Sequence, residues 1–236
     1  MPSSAEQLHL ERALHLLQQA GAMLPEAEPG SVAWLQGIVD ALCDLSSRDA
    51  LTGLSNRRSF EMVMAREVDR VARTGESALL LMLDIDHFKS VNDTYGHGVG
   101  DLVIQAVGAA LNQAVRPMDT VARIGGEEFG IMLPNCQAGF ALTVAERVRE
   151  RVARLRIPTG QFQDELSVTI SLGGAFAPQW VRSSPLLWME RADRQLYRAK
   201  TDGRNRVCLE VHHETLVSAE EKGMLLAVLP QDSEQV

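Results

Sequence analysis

The chain has 236 residues, 45% of them apolar and 23% charged, with a net charge of −8. This balance excludes a disordered or collagen-like polymer. No apolar run reaches the roughly 20 residues of a membrane-spanning helix, and the N-terminus lacks the basic and apolar regions of a secretory signal. A cytoplasmic protein is expected, and Cys43, Cys136 and Cys208, widely spaced and without a CxxC pair, agree with that as reduced thiols.

The charge is unevenly spread. Residues 1–48 carry −4, residues 49–210 sum to zero and residues 211–236 carry −4. The division implied is a helical N-terminal segment over 1–47, a main domain over 48–210 and an acidic C-terminal tail over 211–236. No basic excess marks a nucleic-acid binder.

In chain order, Leu8, Leu10, Ala13, Leu14, Leu17 and Ala20 sit near helical spacing. A break follows at Pro25 to Gly30. Ser31 then reads as the cap of a second helix through Val32, Leu35, Ile38, Val39, Leu42 and Leu45. Two uses are open to this pair: packing on the main domain, or dimerisation. A charged amphipathic helix is predicted over 58–73. The apolar run Ala78 to Leu83 reads as a buried central strand that ends in Asp84, Ile85 and Asp86. A helix over 99–115, a hairpin of strands 119–124 and 127–133 around Gly125-Gly126, and a helix over 137–155 follow. A strand over 167–172, a helix over 185–201 and a last strand over 205–210 complete an α+β fold with a mostly antiparallel sheet.

Two places carry chemistry. Asp84 and Asp86 point to one face of a strand, and carboxylates there must be solvated, paired or bound to a cation. Oxygen ligands beside substrate phosphates suit Mg²⁺. Gly125-Gly126 permits close approach of backbone to a ligand, with Glu127 and Glu128 directly after. Either feature alone is as compatible with ordinary surface structure. Together they would let Asp84 and Glu127 share a divalent metal over a triphosphate.

The motifs Asp49 to Arg57, Asp84 to Lys89, Asn92-Asp93, Gly96-His97, Gly100-Asp101, Gly125 to Phe129, Ala192-Asp193, Tyr197, Ala199-Lys200 and Gly203 to Asn205 resemble, in order and interval, the GGDEF-domain diguanylate cyclases. The signature is the GGEEF variant, and the resemblance spans about residues 48–210. It implies a nucleotidyl-cyclase and polymerase-palm-like, ferredoxin-like sheet flanked by helices. The implied activity is Mg²⁺-dependent condensation of two GTP into cyclic di-GMP, with Mn²⁺ as an alternative ion, in a homodimer.

By the same resemblance Asp84, Glu127 and the Ile85 carbonyl are metal ligands. Glu127 doubles as a candidate base, and Glu128 either joins it or shapes the hairpin. Lys89 stabilises phosphate charge in the transition state, and Lys200 and Arg204, four apart on the last predicted helix, bind phosphate. Phe88, Asn92, His97 and Asp101 contact substrate, with Asp101 accepting from the guanine donors. Arg116 and Asp119 form an RxxD inhibitory site for cyclic di-GMP, with Arg147 as a secondary arginine. Blander uses are open for several of these: a helix cap for Asp101, a turn for His97, a solvated helix end for Lys200 and Arg204, and a surface pair for Arg116 and Asp119. The competing function is a catalytically inactive cyclic di-GMP receptor or interaction module. A P-loop NTPase is excluded because the chain has no GxxxxGK[ST].

Overall fold

The computed structural model describes residues 10–159, 165–179 and 183–211. Expectations that fall on the start of the first helix, and on the acidic tail beyond Val211, lie outside the described residues. The elements run α1 (Glu11–Gln19), α2 (Val32–Ser47), β1 (Ser55–Asn56), α3 (Arg57–Thr74), β2 (Ala78–Ile85), α4 (Phe88–Tyr95) and α5 (His97–Ala114). They continue with β3 (Thr120–Arg123), β4 (Glu128–Pro134), α6 (Ala138–Ala153), β5 (Ile157–Pro158), β6 (Glu165–Leu166), β7 (Ile170–Phe176), α7 (Pro185–Thr201) and β8 (Val207–Leu209).

Six strands form one sheet in the order β1-β3-β4-β2-β7-β8. The inner pairings are antiparallel, and the two edge strands pair in parallel. β2 lies inside this sheet and is buried at every position. The reason is that helices cover both faces, which removes any solvent side for polar residues. Leu79, Leu81 and Leu83 share a core with Val103 and Val107 of α5 and Val148 of α6. Leu80 and Met82 share the other with Phe60 and Met64 of α3 and Trp188 and Ala192 of α7.

Caps set the helix ends. Asn56 accepts from the Ser59 N–H at the start of α3, and Gly75 closes that helix in the left-handed region at φ 67°. Ser184 caps α7 ahead of Pro185, and Ser31 caps α2 through the Trp34 N–H, as expected.

The sheet and helices match the predicted α+β class, but the short strands β1, β5 and β6 have no counterpart in the prediction, and three further differences bear on the site. The strand expected over 167–172 runs instead over Ile170–Phe176. The strand continues through Gly173 and Gly174, and Gly173 is what lets α7 sit on the sheet. A Cβ at Gly173 would stand 1.9 Å from the Leu196 nitrogen and 2.4 Å from the Ala192 oxygen. The eight-residue α4 has no counterpart in the prediction. It is too short to show a period, and it begins after His87, a non-glycine residue at φ 58°. α7 ends at Thr201, so Arg204 lies beyond the helix at φ 62° and shares no helical face with Lys200.

In the N-terminal segment α1 packs on α2, with Leu17 and Ile38 as their buried residues. Pro25 closes the turn against Gly37, where a Cβ would lie 2.6 Å from the proline ring. Two residues expected to serve a dimer stripe are thus used within one chain.

Gly173→Ala tests the seating of α7. A methyl group there meets helix backbone rather than a flexible side chain. The expected loss is on the order of 3 kcal/mol, the upper end of overpacking costs. It should appear as a lower urea midpoint with an unchanged slope, whereas Gly139→Ala, with open space around its Cβ position, should leave the midpoint nearly unmoved.

Candidate active site

The site is assembled where β2 leaves the sheet. Asp84 is the register partner of Glu128 on β4 and of Ser171 on β7. The Ile85 N–H donates to the Glu127 carbonyl at 3.2 Å, which draws the β3–β4 hairpin tip across the end of β2. Asp84 is buried, Glu127 half-buried and Glu128 exposed.

Asp84 does not stand alone. The Lys200 ammonium on α7 lies 2.7 Å from Asp84 Oδ2. Burial pushes the Asp84 carboxyl above its ordinary range despite Lys200, and the charges on Glu128 and Asp86 add to the rise. Burial likewise raises Glu127, and the nearby Asp84 charge adds to it. The pair is an acidic cleft held with one cation, short of the positive charge it can accept.

The hairpin tip is pinned from below. Arg123 donates from Nε to the Gly125 carbonyl at 3.1 Å and from Nη2 to the Gly126 carbonyl at 2.9 Å. Its Nη1 meets Asp49 at 3.2 Å, and Asp49 also accepts from the Thr52 N–H and hydroxyl. For Asp49, burial acts upward, but the Thr52 hydrogen bonds and Arg123 outweigh it and hold the carboxyl below its ordinary range. Neither Gly125 nor Gly126 takes a positive φ. A Cβ at Gly125 would stand 2.5 Å from Glu128 Oε2, the flexible end of an exposed side chain, while the Cβ position of Gly126 faces open space. Asp49 opens a motif read from sequence and Arg123 stands two residues before the Gly125 hairpin, but their side-chain pairing spans 74 positions and gave no local signal.

The remaining candidates fall into two groups. Lys89 is exposed on α4, and Phe88 is buried at its start. Asn92 is half-buried where α4 meets α5: a Cβ at Gly100 would stand 2.0 Å from Asn92 Oδ1. His97 opens α5, and Asp101 lies in its second turn, exposed, so neither a turn role for His97 nor a cap role for Asp101 applies. The elbow of α4 and α5 therefore gathers Phe88, Asn92, His97 and Asp101. Arg204 is exposed in the loop after α7.

The second group lies elsewhere. Asp119 Oδ2 accepts from the Arg116 N–H at 2.8 Å and lies 3.6 Å from Arg116 Nε, while buried Asp119 Oδ1 has no hydrogen-bond partner. The Arg147 Nε donates to the Ala114 carbonyl at 3.1 Å. A cavity of about 500 Å³ opens between Arg116, Phe140, Thr143 and Arg147. Another, of about 1030 Å³, runs between α5 and α6 and is lined by Arg116, Arg147, Arg151 and Arg154. Neither is lined by Asp84, Glu127 or Lys200.

A palm-like sheet with strand-end carboxylates under a Gly-Gly-acid hairpin defines a nucleotidyl-cyclase type of domain. Residues 46–206 match the family profile "Diguanylate cyclase, GGDEF domain", and the chain belongs to that family. It is 41% identical over 163 residues to the probable diguanylate cyclase DgcC of Escherichia coli, covering 69% of this chain and 43% of that protein. The coiled coil and GGDEF domain of DgcB from Caulobacter crescentus, solved with c-di-GMP, superposes with a TM-score of 0.71 at 30% identity, covering 85% of this chain and all of that one. The active GGEEF domain of a diguanylate cyclase from Vibrio cholerae gives a TM-score of 0.62 at 29% identity, over 68% of this chain and 99% of that one. The chain spans less than half the length of the curated relatives it matches. Among the described residues no helix is long and apolar enough to cross a membrane.

The raised carboxyl of Asp84 has a consequence for stability. A raised carboxyl favours the folded state below the unfolded value, about 3.9 for aspartate, and loses that advantage as pH rises through the folded value. In metal-free buffer Asp84→Asn should therefore unfold at higher urea than the parent at pH 7. The gap should close as pH is lowered towards 4. A variant less stable than the parent at pH 7 would show that the Lys200 contact outweighs burial.

Proposed function

We propose that the chain is an active diguanylate cyclase. Two GTP molecules are condensed, each 3′-hydroxyl attacking the other's α-phosphate, so that two P–O bonds form, two α–β bonds break and two pyrophosphates leave. The observation that carries this reading is the undersatisfied acid pair, Asp84 and Glu127, drawn together by the hairpin tip at the end of β2.

The donor set suits Mg²⁺, or Mn²⁺ in its place. Hard oxygens are offered by Asp84, Glu127 and the Ile85 carbonyl. Among the described residues no three acidic, His or Cys side chains cluster as a complete cage. That is the pattern of an ion completed by water and substrate phosphates. The chemistry such an ion supplies is neutralisation of charge on the α-phosphate and the leaving pyrophosphate.

The chain's own groups supply the rest. Lys200, now on Asp84, is within a side-chain swing of phosphates over that carboxylate. Lys89 and Arg204 are further cations for the triphosphate. Asn92 and Asp101 accept from the guanine N–H donors, and adenine, lacking that donor pair, would leave an acceptor unpaired. Phe88 and His97 complete that elbow. Glu127 is a candidate acceptor for the 3′-OH proton, its raised carboxyl suiting proton uptake better than an ordinary surface glutamate. Glu128, facing Asp84 across the ladder and in contact range of Gly125, shapes the hairpin.

The product is two-fold symmetric, so two copies must present their half-sites to one another. The N-terminal segment over 1–47, whose described part holds the α1–α2 hairpin, is the proposed dimerising element. With Leu17 and Ile38 used internally, its exposed apolar residues on α2 are Val32, Val39 and Leu45, with Leu35 and Leu42 half-buried. Product feedback is proposed at Arg116, Asp119 and Arg147. Support comes from the unpartnered, buried Asp119 Oδ1, an acceptor suited to a guanine edge beside two arginines. GTP as substrate places the reaction in the cytoplasm. Nothing in the site favours the inactive-receptor reading, since every candidate metal and phosphate position holds a competent residue.

Turnover of GTP with Mg²⁺, followed by chromatography of cyclic di-GMP, tests the reading directly. Asp84→Asn and Glu127→Gln should abolish product while the circular dichroism spectrum stays native. Glu127→Asp should retain part of the rate, because the GGDEF signature has aspartate there. Near-normal turnover by Glu127→Gln would overturn the assignment.

Feedback is separable from catalysis. Arg116→Ala should keep its initial rate yet continue past the point at which the parent is inhibited by added cyclic di-GMP. Inhibition of that variant at unchanged product concentration would place the regulatory site elsewhere.

A further inference from the structure

The second strand-end carboxylate has no part in the chemistry described so far, and its surroundings differ from those of Asp84. Asp86 is 5% exposed and, among the described residues, its recorded partners are two hydroxyls and a backbone N–H rather than a cation. Its Oδ1 accepts from the Ser171 hydroxyl at 2.6 Å. Its Oδ2 accepts from the Thr169 hydroxyl at 2.7 Å and from the backbone N–H of Asn205 at 3.0 Å. The last bond crosses 119 positions of sequence and reaches the loop that carries Arg204.

That loop is an unfavourable piece of backbone. Gly203, Arg204 and Asn205 take φ values of 114°, 62° and 45° in succession. Two consecutive non-glycine residues in the left-handed region are disfavoured, Arg204 more than Asn205, and such geometry persists only where the surroundings over-determine it. Here the Arg204 N–H donates to the Ala199 carbonyl, and the Leu172 N–H donates to the Arg206 carbonyl, both at 2.9 Å. Asn205 Oδ1 accepts from Arg149 at 2.8 Å. The contact made by a buried, charged acceptor is the one from Asp86.

We propose that Asp86 is a positioning residue for triphosphate binding: its buried carboxylate clasps the left-handed loop over 203–206 to the end of β2, and so sets where the Arg204 guanidinium stands relative to the Asp84 cleft. The proposal rests on the reading of Arg204 as a phosphate contact. Division of labour between the two aspartates follows. Asp84 faces Lys200 and the cleft, while Asp86 is spent on backbone and hydroxyl donors that hold the loop.

The test is a binding cycle on the full chain. The probes are a GTP analogue with a methylene bridge between the α- and β-phosphates, which does not react, and guanosine, which has no phosphate. Arg204→Ala should weaken the analogue by about tenfold, the scale of one charge-assisted hydrogen bond. Asp86→Ala should weaken it by a similar factor and leave guanosine within about twofold. Asp86→Asn should restore binding to within about threefold, because an amide can accept from the Asn205 N–H while donating to a hydroxyl. Combined with Arg204→Ala, Asp86→Ala should add less than about twofold, since both remove the same contact.

Normal analogue binding by Asp86→Ala, or losses that multiply fully in the double variant, would overturn the proposal while leaving the Arg204 reading intact. Unchanged binding by Arg204→Ala would overturn that reading first, and this proposal with it. Should Asp86→Ala not fold, Ser171→Ala carries the test, with a smaller loss expected for the analogue and none for guanosine. Equal losses for both probes would mark a merely structural role and overturn the proposal.

Discussion

An ionised carboxylate at the end of a strand buried on both faces must find compensation within the protein, and the candidate active site is organised around the two that β2 carries. Asp84 is compensated by the Lys200 ammonium and remains above its ordinary range. Asp86 is compensated by two hydroxyls and one backbone N–H. Both sets of partners come from elements that pack beside β2, namely α7 with its following loop and the start of β7. The apolar strand that makes the acids costly also fixes the helices that satisfy them.

α7 is therefore central to the site without lying in the sheet. Its approach is permitted by Gly173, where a side chain would meet helix backbone. Trp188 anchors it by donating from its indole nitrogen to the Ala175 carbonyl at 2.8 Å. Once seated, the helix delivers Lys200 from its last turn to Asp84, and its exit loop to Asp86. On the other side of β2 the β3–β4 hairpin is oriented by Arg123, whose guanidinium joins the Gly125 and Gly126 carbonyls to Asp49. A planar donor with five N–H groups serves this better than lysine would, because three acceptors must be met at once.

The arginine-lined cavities show a different physics. The larger runs along α5 and α6, on the face of the sheet opposite α3 and α7, over a floor of alanines, and the smaller lies between Arg116 and the first half of α6. Asp119 sits at the edge of this region with one oxygen engaged locally and the other without a hydrogen-bond partner, whereas Asp84 and Asp86 are both engaged. Neither cavity is lined by Asp84, Glu127 or Lys200, so a ligand held there would leave the Asp84 cleft open.

Sequence by itself determined the class of fold, most element positions, the strand-end acids, the Gly-Gly-acid hairpin and membership of the family, because each of these is a local pattern. Six unbroken apolar positions, Ala78 to Leu83, require cover on both faces, and Ser31 marks a helix start by side-chain chemistry alone. Tertiary structure decided what no local pattern contains. It carried β7 through Gly173 and Gly174, past the end expected at residue 172, with Gly173 leaving the space that α7 occupies. It ended α7 before Arg204 and put that residue on a left-handed loop, undoing the helical pairing with Lys200. It turned Leu17 and Ile38 inward, and it gave Arg123, Asp49 and Asp86 their roles as ties. The physical reason is the same throughout: these outcomes depend on contacts between residues tens of positions apart, whose energies arise only when packing brings the partners together.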